Sequence, residues 1–224
     1  MRSFTHWTPR YLFDRSLEKL YRYRHPDLPW LTPFANQILA SYLQNTDHGA
    51  EFGSGRSTIW LSKHVASLVS IEHNPLWYEK VRQELEILGK SNVTYLFRPQ
   101  KIGENPVQSD YVSEAHKFAD CSLDFALVDG IYRDACVCAL LNKIVPGGVL
   151  IIDNINLYLP SASRCPNSIR PDAQPATPLW EQAYTALKQW RCIWTSNGIS
   201  DTAIFFKPCQ NLTSNYFSQT TSNE

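Results

Sequence analysis

The sequence predicts an α/β domain built on a mostly parallel sheet. Three observations carry that expectation. Candidate strands alternate with candidate helices five times along the chain. Two strands, Phe125-Ala126-Leu127-Val128 and Val149-Leu150-Ile151-Ile152, are apolar without interruption, as strands covered on both faces are. Glu51 with Gly53 and Gly55, Glu72, Asp129, and Asp153 with Asn154 fall where strands end, the edge at which open α/β sheets bind ligands.

Taken in order, residues 1–30 form an aromatic and basic extension. Tyr11, Leu12, Leu17, Leu20 and Tyr21 recur at helical spacing among Arg10, Arg15, Lys19, Arg22 and Arg24. This is either a helix packed on the domain with a solvated basic face or a helical cap over a substrate. Thr32-Pro33 then reads as a helix start, with a hydroxyl cap and proline in the first turn, and Phe34, Ile38, Leu39 and Leu43 as its apolar face. After the turn at Asn45 to Gly49, a weakly marked strand, Ala50-Glu51-Phe52, leads into Gly53-Ser54-Gly55. Ile59, Leu61, Val65 and Ala66 continue as a helix of about two to three turns. Leu68 to Glu72 is a second strand. Asn74-Pro75 opens a helix carrying Leu76, Val81, Leu85 and Leu88, which Gly89 closes. Val93 to Phe97 is the third strand, followed by a polar loop and a weak helix around Tyr111 to Phe118.

The fourth strand ends at Asp129-Gly130, a helix runs from Arg133 to Lys143, and the fifth strand follows Pro146-Gly147-Gly148. Residues 155–178, with little periodicity, form a loop of the length that is usually functional or disordered. A last helix, Leu179 to Trp190, precedes two apolar runs around Asn197-Gly198, read as an antiparallel hairpin. Residues 209–224 are a polar tail, expected to be disordered.

Bulk properties narrow the classes. Lys and Arg number 21, as do Asp and Glu, so no net charge argues for nucleic acid or an anionic membrane. No apolar run approaches the roughly 20 residues that cross a bilayer. Met1 to His6 has no apolar signal-peptide core, and the six cysteines include no Cys-x-x-Cys pair. The expectation is a cytoplasmic protein with reduced, mostly buried thiols.

The stretch Glu51-Phe52-Gly53-Ser54-Gly55-Arg56-Ser57 lets the backbone approach a nucleotide-like ligand. A carboxylate beside that turn would repel a phosphate, but suits an ammonium or a hydroxyl. Glu72, 21 residues after Glu51, is at the distance of an acid that holds two ribose hydroxyls. A nicotinamide cofactor fits less well, because the third glycine of its fingerprint is Thr58 here.

Together with Ser-Ile-Glu-His-Asn, Phe-Ala-Leu-Val-Asp-Gly and Pro-Gly-Gly-Val-Leu-Ile-Ile-Asp-Asn, this stretch resembles the class I S-adenosylmethionine-dependent methyltransferases. The resemblance covers about residues 31–208. It implies a Rossmann-like, seven-stranded sheet of order 3-2-1-4-5-7-6 ending in an antiparallel hairpin, with S-adenosylmethionine as cofactor. By the same resemblance, Glu51 lies near the methionine ammonium and Gly53, Ser54 and Gly55 near the methionine portion. Glu72 holds the ribose, His73 lies beside the adenosine, and Asp129 borders the reacting centre. The acid often found near adenine after the third strand is replaced by Arg98-Pro99-Gln100.

Asp129, Asp153 and Asn154 are the candidate catalytic residues. Three oxygen ligands of this kind suit Mg²⁺, and the layout is similar to metal-dependent catechol-type O-methyltransferases. Those enzymes also carry a lysine shortly after the first acid, where Ile131, Tyr132 and Arg133 stand here, so no metal ligand is assigned. The nucleic-acid aminomethyltransferase signature, Asn or Asp followed by Pro-Pro and an aromatic, is replaced by Asp129-Gly130-Ile131-Tyr132. The expected activity is methylation of a small molecule at oxygen, with no nucleic-acid or membrane partner. The alternative is a non-catalytic cofactor-binding protein on the same fold. Tyr158, Arg164, Arg170 and the N-terminal aromatics are placed at the acceptor side.

Overall fold

The computed structural model describes residues 8–209; the expected tail lies outside them from residue 210 on. Seven strands form one sheet: β1 (His48–Phe52), β2 (Ser67–Glu72), β3 (Val93–Phe97), β4 (Leu123–Val128), β5 (Ile144–Asp153), β6 (Arg191–Ser196) and β7 (Asp201–Phe206). Their order is β3-β2-β1-β4-β5-β7-β6, as the resemblance implied. The first five run parallel, and β7 lies antiparallel between β5 and β6.

Seven helices accompany them: α1 (Pro9–Arg24), α2 (Pro33–Tyr42), α3 (Arg56–Leu61), α4 (Pro75–Ile87), α5 (Asp110–His116), α6 (Arg133–Leu140) and α7 (Pro178–Leu187). None in the described residues is long and apolar enough to cross a membrane. The period-2 geometry of the strands divides the core. Ala126, Val128, Leu150 and Ile152 pack with Tyr111, Cys136, Leu140 and Trp180 from α5, α6 and α7. Phe125, Leu127, Val149 and Ile151 pack on the opposite side with Ala35, Leu39, Trp60 and Leu61 from α2 and α3. Both faces of the central strands are therefore covered, which is why they read as unbroken apolar runs.

Several local expectations need correction. The thiols are only partly buried: Cys136 and Cys165 are, while Cys121, Cys192 and Cys209 are exposed. The helix after the glycines ends at Leu61, because Lys90 Nζ and Asn92 Nδ2 donate to the Ser62 carbonyl and Asn92 also to that of Val65. Side chains from a neighbouring connection thus satisfy carbonyls that a longer helix would have used. The Pro146-Gly147-Gly148 segment lies within β5, beside a register shift between Leu123 and Phe125. On α2 the buried face is Ala35, Asn36 and Leu39, whereas Phe34 is exposed.

Thr32 precedes α2 but does not cap it with its side chain. Its fully buried hydroxyl bonds Thr195, whose own hydroxyl donates to the Thr202 carbonyl. The Thr32 amide donates to Thr202 Oγ1, which donates in turn to Asp153 Oδ1 at 2.6 Å. A relay of three threonines thus ties the start of α2 to the terminal hairpin and to the end of β5.

The outermost helix is oriented contrary to its apolar pattern. Leu12, Phe13, Leu17 and Leu20 of α1 are exposed, while Glu18 is its buried residue. Asp14 abuts the β6–β7 turn so closely that a Cβ on Gly198 would meet its carboxylate at 2.4 Å. At the other end, Arg22 lies over Trp30, 4.8 Å from the ring centre, and Arg56 of α3 lies over the same ring at 5.3 Å. Sixteen residues at ~1.5 Å each reach ~24 Å. The four interstrand spacings from β1 to β6 amount to ~19 Å, so α1 can cross that whole side of the sheet.

Thr32→Val should cost about 1–3 kcal/mol of stability, because Thr195 loses its buried donor. Urea unfolding checks this; a midpoint equal to that of the native chain would show that the relay is dispensable.

Candidate functional site

The carboxyl ends of β1, β2 and β4 border a cleft of about 590 Å³, within the ~300–1,000 Å³ typical of small-molecule sites. Its geometry begins with one carbonyl. Phe52 O accepts the amides of both Asp129 (2.8 Å) and Gly130 (2.7 Å), which brings the ends of β1 and β4 together. At Gly53 φ is +100°, and a Cβ there would lie 2.4 Å from the Gly130 nitrogen. Conformation and contact both exclude a side chain.

Gly53, Ser54, Glu72, His73 and Asp129 all line this cleft, as the sequence predicts. The Glu72 carboxylate is already saturated. Oε2 accepts from Ser54 N (2.8 Å) and Ser54 Oγ (2.7 Å), and Oε1 from the amides of His73 (2.9 Å) and Asn74 (2.7 Å). Burial alone would raise its pKa, but these bonds and the His73 ring more than offset it and hold the value at about 2. The Ser54 hydroxyl has a second partner, Tyr95 Oη at 2.6 Å.

Two expected residues stand behind the wall. Gly55 is buried beneath Trp77, whose indole N–H donates to the Ser54 carbonyl. Glu51 is fully buried, and its Oε2 accepts from Thr58 and Ser70, both at 2.6 Å. Thr58 Oγ1 also accepts the Gly55 amide, so Glu51 braces the glycine turn through Thr58. Its Oε1 is buried without a partner. Burial pushes the Glu51 pKa up to about 7, against the opposing bonds from Ser57, Ser70 and Thr58.

The candidate catalytic acids do converge, and what they converge on is Arg133. Its Nη2 donates to Asp129 Oδ1 at 2.9 Å and to the Asp129 carbonyl, its Nε to the Gly130 carbonyl, and its Nη1 to the Asp153 carbonyl. The Asp153 carboxylate faces Thr202 and Asn154, whose amide donates to Oδ2 at 2.9 Å. Burial and the Asp129 charge raise the Asp153 pKa to about 7. For Asp129 burial likewise raises the pKa, and Arg133 and Arg22 pull it back. These residues do not fit a divalent metal, since Arg133 holds Asp129 Oδ1 and both Asp153 oxygens accept bonds from Thr202 and Asn154. After β3, Arg98 pairs with Glu114.

Several cleft residues were not anticipated: Trp77, Lys80 and Gly130. Trp77 lies in the first turn of α4 beyond a recognised strand end, so its placement was inferable. Tyr111 carried no signal. Its hydroxyl, buried without a partner, would lie 2.1 Å from a Cβ on Gly130.

No protein-family model and no curated protein matches the sequence. Solved structures do. A protein provisionally named methyltransferase YhhF, from Escherichia coli, is 14% identical with a TM-score of 0.51, over 79% of this chain and 85% of that one. A Streptococcus mutans protein, provisionally named a methyltransferase and solved with SAH, is 11% identical (TM-score 0.50; 78% and 96%). A Clostridium thermocellum protein provisionally named an rRNA-methylase is 10% identical (TM-score 0.51; 79% and 94%). The fold is that of the class I methyltransferases. At such identities the likeness concerns the fold, so the residues themselves must carry the rest.

The raised pKa of Glu51 predicts a pH dependence of stability. The folded chain keeps this proton between pH 4.5 and about 7, where the unfolded chain has lost it. Its stabilising contribution is complete below pH 4.5 and is lost as pH rises through about 7, to the extent of about 3 kcal/mol. Glu51→Gln should flatten that part of the slope in urea midpoints measured from pH 4.5 to 8. Parallel profiles for the two proteins would assign the slope to other groups.

Proposed function

We propose that the protein transfers a methyl group from S-adenosylmethionine to an oxygen of a small-molecule acceptor. The observation that carries this reading is Glu72: an acid held ionised in the cleft, bonded to the amide of the glycine turn, and separated from Asp129 by the end of β1 alone. When bound, S-adenosylmethionine supplies an electrophilic methyl on a sulfonium.

In this reading Glu72 accepts the two ribose hydroxyls. It can do so because the Ser54 hydroxyl can leave it for Tyr95. His73 lies beside the adenosine, and Gly53, Ser54 and Gly55 form the turn that the methionine portion approaches. Glu51 lies behind that turn, on the side of the ammonium, and gains its charge as pH rises through about 7. Asp129 takes the acceptor proton through Oδ2, while Arg133 fixes Oδ1 and the main chain of Gly130 and Asp153. Its pKa, raised by burial, brings it closer to the working range of a general base. Asp153 and Asn154 act as positioning residues, since their side chains are spent on each other and on Thr202.

In this reading residues 8–30 of the N-terminal extension form a cap over the 31–208 domain, and with the loop at 155–178 they make the acceptor side. The inward Asp14, Glu18 and Arg22 of α1 support this over the role of a helix packed by an apolar face. A second reading, an RNA acceptor, draws on the name of the Clostridium thermocellum neighbour. The zero net charge and the inward acids of α1 weigh against it.

Calorimetry with SAH should give a saturable isotherm for the native chain. Glu72→Ala should weaken it at least tenfold, since bonds to a charged group contribute about 1.5–3 kcal/mol each. Absence of heat from folded native protein would defeat both this reading and its non-catalytic alternative. With a labelled methyl donor, product should appear in a metabolite extract rather than in RNA; label in RNA alone would favour the second reading. Turnover should be unchanged by chelator and by added Mg²⁺, because Arg133 already holds Asp129 Oδ1. A rate restored only by Mg²⁺ would overturn that assignment.

A further inference from the structure

We propose that the cavity between α1 and the long loop binds an oxyanion, and that the methyl acceptor carries it as a phosphate or carboxylate some distance from its reacting oxygen. The second half of this rests on the function proposed above. The cavity measures about 330 Å³ and is lined by Arg10 and Asp14 of α1 and by Arg164, Asn167 and Arg170 of the loop. Three guanidinium groups thus face one carboxylate.

These arginines differ from others in the molecule. Arg15 and Arg22 pair with Glu18, Arg82 with Glu79 and Glu86, Arg98 with Glu114, and Arg133 with Asp129. Arg10 approaches Asp14 only at 3.7 Å, and Arg170 donates one long bond, 3.3 Å, to the Ser163 carbonyl. Arg164 makes no ion pair or hydrogen bond among the described residues. In a chain without net charge this is a local excess of unpaired donors. Guanidinium forks match the oxygens of phosphate and carboxylate groups, so the site has a definite ligand chemistry.

The loop that presents two of them is fixed in place. Cys165 is buried with its Sγ 2.9 Å from Asp201 Oδ1. The amide of Ile169 donates to Asn156 O, and that of Ser161 to Ile169 O. Asn156 Oδ1 accepts the Asp201 amide. The arginines therefore stand on a preformed scaffold, which lowers the ordering cost of binding.

Position connects this cavity to the chemistry. Asp201 is next to Thr202, whose hydroxyl holds Asp153. The cavity thus lies at the ligand edge on the β7–β6 side, whereas the cofactor cleft lies at β2, β1 and β4. From β4 to β7 is two interstrand spacings, ~10 Å. A small molecule of roughly that length could present its oxygen at Asp129 and its anionic group to the arginines.

The test is a titration of the full chain with inorganic phosphate and with acetate at low ionic strength, read from arginine side-chain NMR shifts, with chloride as control. A parallel SAH titration is made by calorimetry. The expected result is saturation by at least one of the two oxyanions, with which one saturates more tightly deciding between phosphate and carboxylate. Chloride should be without effect, and the R164Q/R170Q double variant should bind at least tenfold more weakly while keeping native SAH affinity. Both residues are exposed, so that variant leaves the core untouched. Equal binding by native and variant chains, or saturation by neither oxyanion, overturns the proposal. Tighter binding of a short RNA that survives the double substitution overturns it in favour of a nucleic-acid surface. SAH binding without oxyanion binding sinks this inference alone, and oxyanion binding without SAH binding sinks the methyltransferase reading while leaving the anion site.

Discussion

The Phe52 carbonyl, with its two lone pairs engaged by the amides of Asp129 and Gly130, is the contact on which the candidate site depends. Adjacent parallel strands normally diverge into separate loops at their carboxyl ends. Here one carbonyl joins the two loops, and the backbones of Gly53 and Gly130 meet with no room for a Cβ on either. That contact directs Ser54 N toward Glu72 and leaves Asp129 beside Arg133. The motif in the first loop is therefore half of a structure whose other half is Asp129-Gly130, after the fourth strand. Tyr111 closes it from below, its hydroxyl filling the space that a side chain at position 130 would need.

Around this contact, buried charge is compensated by protein groups. Glu72 has four main-chain and hydroxyl donors, Asp153 has Thr202 and Asn154, and Asp129 has Arg133. Such compensation keeps carboxylates ionised where burial would otherwise neutralise them, as at Glu72. It also means that a ligand enters by exchange. In the proposed reading, a ribose would gain two bonds to Glu72 only as Ser54 gives one up, so the net gain is smaller than a count of contacts suggests. Two oxygens escape this saturation: Glu51 Oε1, buried without a partner, and Asp129 Oδ2.

Much of the fold was legible because the central strands advertise themselves. Phe125 to Val128 and Val149 to Ile152 are apolar on both faces since helices cover both, and acids mark their ends. The hairpin was readable from two apolar runs around Asn197-Gly198, whereas the strand order followed from a family resemblance rather than from periodicity. What failed were decisions made by tertiary contact. Thr32 looks like a cap, yet its hydroxyl is taken by Thr195, 163 residues away. The helix after the glycines stops early because Lys90 and Asn92 supply donors that local sequence cannot reveal. In the site, strand-end acids were readable, but their partners were not. Nothing in sequence said that Arg133 would bridge Asp129 and Asp153, or that Glu51 would turn inward to Thr58.

The half-exposed helix α1 bears on the proposed acceptor side. A helix added only for stability would bury Leu12, Leu17 and Leu20, each worth about 1.5–3 kcal/mol when fully removed from water. Instead these stay about half-exposed, Leu17 and Leu20 lining an open cavity with Leu28 and Leu31, and Glu18 is buried with its charge met by Arg15 and Arg22. Leaving that apolar surface wet forgoes several kcal/mol, which a packing role does not explain. A polar inner face has a use if α1 roofs a solvated passage along the strand ends, from the Trp30 and Trp77 corner to the hairpin. In the proposed reading, the residues that hold a donor sit at the ends of β1, β2 and β4 and would serve any acceptor. Those proposed to meet the acceptor come from α1 and the long loop, where a change of side chain leaves the sheet intact.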